Sequence, residues 1–292
     1  MKPFLPIVLL PLLSTPAAAA PINAVASFSI LGDMVQQVGG DRVTVTTIVG
    51  PNADTHVYEP KPSDAASVAH ADIFFINGLG FEGWMERFVE ATGYKGPLIV
   101  ASNGVISHTM MDDGETVTDP HAWQSLQNGI LYIENIEKGL CAIDAAGCVV
   151  YATNAKAYQA QLLALDAEVK TEIAAVPEAK RKVITTHDAF GYFGEAYGVT
   201  FLAAEGISTD AEPSARDVAK LITQIKAEGV SALFIENMSD GRLIEQIAEE
   251  TGVRMGGELY ADALSEPGQN APHYLDMFKY NASLLIPALE GK

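Results

Sequence analysis

The chain has 292 residues, 37 of them acidic against 18 basic, for a formal net charge of −19. So acidic a balance excludes a nucleic-acid partner, whose phosphates such a surface would repel. It is compatible with a cation ligand, although solubility alone accounts for it.

The N-terminus reads as an address. Lys2 supplies a positive charge, Phe4 to Leu13 are mostly apolar, and Pro16 to Ala20 form a small-residue cleavage zone. This is the layout of a secretory signal peptide over residues 1–20, too short for a convincing membrane span. Cleavage is expected near Ala19 or Ala20. No cysteine follows the apolar stretch, so the expectation is a periplasmic protein without a lipid anchor. About 270 mature residues suit two domains, although one large α/β barrel fits that length as well.

Next come short β-rich runs at Ala24–Ile30, Val43–Val49, Ile73–Asn77 and Leu98–Ala101. Amphipathic segments such as Gly32–Val38 and Glu82–Thr92 lie between them, ended by glycine. Alternation of this kind predicts a parallel sheet with helices on its faces. The two cysteines, Cys141 and Cys148, close a short acidic segment. In an oxidising compartment such a pair forms a disulfide. A cysteine metal site would need further soft ligands nearby, and none follow in sequence.

From Thr153 to Val176 there is neither glycine nor proline. Tyr158, Leu162, Leu165, Val169, Ile173 and Val176 recur at helical spacing and mark one apolar face, so a single long helix is expected, closed by Pro177. The α/β pattern then resumes, with strands at Val183–Thr186, Val199–Leu202, Ala232–Glu236 and around Glu258–Tyr260. Helices fit Ser214–Ala227 and Gly241–Thr251. The fold expected is therefore α/β, with two lobes, each a mostly parallel sheet flanked by helices. Residues 21–148 form the N-terminal lobe, 149–177 one rigid linking helix, and 178–292 the C-terminal lobe. A ligand belongs in the cleft between the lobes, at the carboxyl ends of their strands.

His56, His121 and His187 each lie beside a strand end or a helix start, and Asp262 follows an extended piece. Three imidazoles and a carboxylate suit a four-coordinate Zn²⁺. Yet they are far apart in sequence, and a lone histidine is more often a surface or otherwise satisfied residue. Asp54, Glu59, Asp119 and Asp188 are candidates to orient the imidazoles, each with a loop turn or helix cap as its plainer role. Trp123, Phe190, Tyr192 and Phe193 read as core or cleft wall. His70 and His273 read as surface residues, and the acidic segment from His108 to Asp119 reads as a solvated loop.

Four motifs carry a resemblance. They are PNADTHVYEPKPSD with ADIFFINGLGFEGWM, DPHAWQSLQN, THDAFGYFGEAYGV, and ENMSDGRLIEQIAEETGV followed by LYADALSEPG. In this order around a long central helix, they resemble the cluster A-I metal-binding proteins of ABC transporters, in the zinc-specific ZnuA and AztC group. The resemblance implies His56, His121, His187 and Asp262 as metal ligands. It implies a non-enzymatic, monomeric protein that captures Zn(II) and delivers it to an inner-membrane ABC permease. A periplasmic zinc metallochaperone is a further candidate partner. Manganese-type relatives generally carry Glu at the third position, so His187 favours zinc. Two departures stand out: the segment before the second motif is short, with only His108 where zinc members often have many histidines, and the Cys141–Cys148 stretch is an insertion. A zinc hydrolase is the rival reading, and it would need Asp262 as a base rather than a ligand. Surface adhesion, a role once given to such proteins, finds no support in the sequence.

Overall fold

A computed structural model describes residues 20–112, 115–210 and 213–292. The signal-peptide expectation falls on residues 1–19, outside the described residues, apart from Ala20. Four parallel strands, β1 (Ile22–Phe28), β2 (Val43–Val49), β3 (Ile73–Ile76) and β4 (Leu98–Val100), form a sheet in the order β2-β1-β3-β4. Central β1 becomes fully buried from Ala24 onward, whereas edge strand β2 alternates, as its Val-Thr-Val-Thr pattern requires. Helices α1 (Ser29–Gly39), α2 (Pro62–Ala69), α3 (Met85–Thr92) and α4 (Leu126–Ile143) accompany this sheet. At the start of α2, Pro62 occupies the first turn and the Asp64 carboxylate accepts the Lys61 N–H at 2.7 Å.

The second sheet holds β7 (Lys182–Thr185), β8 (Thr200–Ala203), β9 (Ala232–Glu236) and β10 (Met255–Leu259) in the order β8-β7-β9-β10. Read from its first strand, this is the same parallel topology as the first sheet. Helices α6 (Gly191–Tyr197), α7 (Ala215–Glu228) and α8 (Arg242–Thr251) belong to it. Strand β10 begins earlier than its sequence suggests. Gly256 looks like a breaker, but a Cβ there would sit 2.3 Å from the Phe234 ring, so glycine lets this edge strand pack closely.

Between the sheets runs α5 (Cys148–Ala175), 28 residues or about 42 Å long. The expected stripe is buried, and Tyr151 and Ala155 extend it by about two turns. This face packs on α1, α4 and α6, and on the C-terminal helix α9 (Tyr274–Glu290). One apolar core therefore runs from Phe28 and Phe75 through Leu162 to Phe193 and Phe278, spanning both sheets. A smaller cluster of Ile184, Leu221, Leu233 and Ile247 lies under α7 and α8. No described helix is long and apolar enough to cross a membrane.

One local expectation changes and another holds. The segment after His108 is a hairpin, β5 (Thr109–Asp112) paired antiparallel with β6 (Glu115–Thr118), rather than a plain loop. The disulfide between Cys141 and Cys148 is present, joining the end of α4 to the start of α5. Replacing both cysteines with serine should lower stability by roughly 2.5 kcal/mol, the chain-entropy value for so short a loop. Chemical denaturation measures this, and metal affinity should not move, because the bridge lies away from the site described below.

Candidate metal centre

The carboxyl ends of the two sheets face each other, and four side chains meet between them. His56 comes from the loop after β2, and His121 follows the β5–β6 hairpin. His187 stands two residues beyond β7 and Asp262 three beyond β10. Their ligand-type atoms all lie within 4.8 Å of one another. His56 Nε2 is 3.3 Å from His121 Nε2. Asp262 Oδ2 is 3.2 Å from Nε2 of both His56 and His187, and 3.7 Å from that of His121. Tetrahedral ligands at zinc bond lengths stand roughly 3.3–3.4 Å apart, so these four edges need only slight adjustment. The donor set is chemically complete for such an ion. Asp262 Oδ1 is buried with no hydrogen-bond partner among the described residues, and a cation held by Oδ2 would compensate the charge of this carboxylate.

Two carboxylates turn the imidazoles toward the centre. His121 Nδ1–H donates to Asp119 Oδ1 at 2.8 Å, and the His121 backbone N–H donates to the same oxygen at 2.9 Å. His187 does likewise with Glu236: its Nδ1–H donates to Oε2, and its backbone N–H donates to Oε1 at 3.0 Å. With Nδ1 carrying the proton, each Nε2 lone pair is free to face a cation. Glu236 ends β9, the neighbour of β7, so this pair sits at the point where the strand order of the second sheet reverses.

Buried polar contacts fix the loops. The Trp123 indole and the Gln124 amide both donate to the Ala261 carbonyl, at 2.9 and 2.8 Å, and so hold the residue before Asp262. Asn77 donates to the Pro120 carbonyl at 2.9 Å and holds the residue before His121. Phe81 presents its ring edgewise to His56 and His121 at 5.0 and 5.9 Å between centroids.

The electrostatics are those of a buried, compensated cluster. Burial by itself pushes the His121 pKa down, but the charges of Asp262 and Asp119 outweigh it and raise it to about 9. For His187, burial is likewise overcome by Glu236 and Asp262, which hold it well above the ordinary imidazole value. Burial would raise Asp262, yet the charged His187 and His121 keep it well below the usual carboxylate range. A divalent cation would replace two imidazolium protons with no change in buried charge.

The structure sorts the remaining candidates. Of the four acidic residues expected beside the imidazoles, only Asp119 bonds one. Asp54 instead accepts the His56 backbone N–H at 2.9 Å, and Glu59 is exposed. Asp188 donates its N–H to Gly206, and burial followed by the charge of Asp119 lifts its carboxyl to about 6. His70 is exposed at the end of α2. His273 precedes α9 and pairs with Asp33 at 2.8 Å. His108 pairs with Glu195 and stacks on Tyr192.

Residues 24–288 match the family model described as zinc-uptake complex component A, periplasmic. The chain belongs to this ZnuA family. Family membership makes it a substrate-binding component of a metal ABC transporter that delivers a metal ion to a membrane permease, and not an enzyme. The manganese-binding lipoprotein MntA of Halalkalibacterium halodurans is 32% identical over 268 residues, covering 92% of this chain and 88% of that one. Among solved structures, the periplasmic zinc binding protein TroA of Treponema pallidum superposes with a TM-score of 0.87 at 27% identity, covering 93% and 99%. A manganese-bound mutant of the periplasmic metal binding protein of Candidatus Liberibacter asiaticus superposes with a TM-score of 0.85 at 32% identity, covering 91% and 98%.

These ZnuA-family relatives correct one expectation. Curated relatives, MntA among them, are named lipoproteins, against the reading of this chain as periplasmic without a lipid anchor. That reading rested only on a missing cysteine in a segment outside the described residues, and it is withdrawn. The relatives also carry names for manganese and iron, so family membership establishes a metal ion and leaves its identity to the chemistry of the site.

Proposed function

We propose that this protein captures Zn(II) with His56, His121, His187 and Asp262 and passes it to the permease of its transporter. Residues 21–148 and 178–292 act as the two lobes in this reading, and 149–177 as the link. The chain acts as a monomer without a nucleic-acid partner, and a metallochaperone is a candidate source of the ion. The observation that carries the choice of metal is the donor set: three imidazole nitrogens and one carboxylate, with four of their six separations close to tetrahedral edges. Manganese favours hard oxygen ligands and higher coordination, which this set does not offer. With four protein ligands, no open position remains for an activated water.

Metal analysis of the purified protein tests this directly. One equivalent of zinc per chain is expected, retained against an excess of manganese. Preferential retention of manganese or iron would sink the zinc assignment while leaving the family's transport role intact.

A further inference from the structure

The loop that carries His56 is tied to the opposite lobe at two points outside the metal-ligand set. At the first, Thr209 Oγ1–H donates to Asp54 Oδ2 at 2.6 Å. The other oxygen of the same carboxylate, Oδ1, accepts the His56 backbone N–H at 2.9 Å. One side chain therefore joins a ligand's backbone to the β8–α7 loop across the cleft. At the second point, Asn237 Nδ2–H donates to Asn52 Oδ1 at 2.9 Å and to the Ala263 carbonyl at 3.3 Å. The Asn52 backbone N–H donates to the Leu264 carbonyl at 2.9 Å. Asn52 has φ of 52°, in the left-handed region that asparagine tolerates better than most residues. This turn aims both its N–H and its side chain at the second lobe.

The geometry points to a two-point clasp, Asp54–Thr209 and Asn52–Asn237, that holds the His56 loop closed over the metal site and slows release of the ion. The inference rests on the zinc reading above. His121, His187 and Asp262 are fully buried and pinned from several sides, whereas His56 lies at the margin of the cleft, its side chain still 5% exposed. It is the ligand whose departure would open the shell, because its loop is held to the second lobe mainly by single hydrogen bonds. The shared apolar core along α5 disfavours wide separation of the lobes, so opening falls to this loop. Thr209 and Asn237 touch no metal ligand directly; both act through the loop and are positioning residues.

The test is the zinc off-rate, measured by stopped-flow mixing of the loaded protein with excess chelator. Thr209→Val keeps the shape and removes the donor, and Asn237→Ala removes the side-chain bond of the second point while the Asn52 backbone bond to Leu264 stays. Each should speed release about 5–10-fold, the effect of one lost hydrogen bond. Stoichiometry should stay at one zinc per chain and the on-rate within about twofold. Thr209→Ser restores the hydroxyl and should release zinc at the wild-type rate, which a purely packing role for the Thr209 methyl would not allow. An unchanged off-rate in both Thr209→Val and Asn237→Ala would overturn the clasp. So would a Thr209→Ser variant as fast as Thr209→Val. If Thr209→Val does not fold, Asn237→Ala alone decides. Wild-type protein that takes up no zinc would remove the functional reading and the clasp together, at a step before any variant is compared.

Discussion

Replacing His187 with alanine should reduce zinc affinity by about a thousandfold or more. The substitution removes one of four ligands, and it also strips Glu236 of the imidazole that neutralises it. Glu236 is fully buried, and leaving such a charge without its partner costs about 3–5 kcal/mol of folding stability, so the variant should also denature more easily. Glu236→Gln is the informative companion. It keeps an acceptor for the His187 Nδ1–H but loses the charge, so a milder loss of about 10–100-fold is expected. Competition titration with a chromogenic chelator separates the two. An alanine variant within tenfold of wild type would remove His187 from the ligand set, and with it the principal argument for zinc.

Zinc affinity should also rise by at least about 100-fold between pH 6 and pH 8. His121 is lifted to about 9, so it is protonated throughout that range when no ion is bound. Zinc needs the neutral imidazole, and each proton displaced gives about one decade of affinity per pH unit below the raised pKa. His187, also held well above its ordinary value by Glu236 and Asp262, supplies a second proton. This moves the competition upward from the region below pH 6 that an unperturbed histidine would suggest. Calorimetry in buffers of different ionisation enthalpy should therefore count more than one proton released per zinc at pH 7. A flat affinity from pH 6 to 8 would contradict the electrostatic account. The same shift fixes the stability of the metal-free chain. The unfolded imidazole titrates near 6.5, so the raised value contributes fully below that pH and is lost as pH rises through about 9.

The four candidate ligands were legible mainly through the motifs that carry the family resemblance, because a lone histidine beside a strand end is weak evidence by itself. The long helix was legible from its uninterrupted apolar stripe. Glu236 was not. It lies 49 residues from His187, and only the order β8-β7-β9-β10 brings them together, a fact of topology that spacing does not carry. Trp123 was read correctly as buried, but its indole N–H has a second task in fixing the Asp262 loop, and a sequence shows no such partner. The hairpin after His108 was not legible as paired strands. Its acidity made it look like a solvated loop. Helices α4 and α9 were passed over for a similar reason. Gly129 and Gly139 interrupt α4 and Pro287 lies within α9, and these weaken a periodic signal. At Gly129 the helix surface must leave room for Tyr274, whose hydroxyl would lie 2.8 Å from an added Cβ.

The apolar core that follows α5 from one sheet to the other has a consequence for the life of the protein in the cell. Neither half can loosen without exposing its neighbour's interior to solvent. A chain that folds badly or is damaged should be cleared whole by proteases, rather than persisting as a half-folded scavenger that still traps the ion.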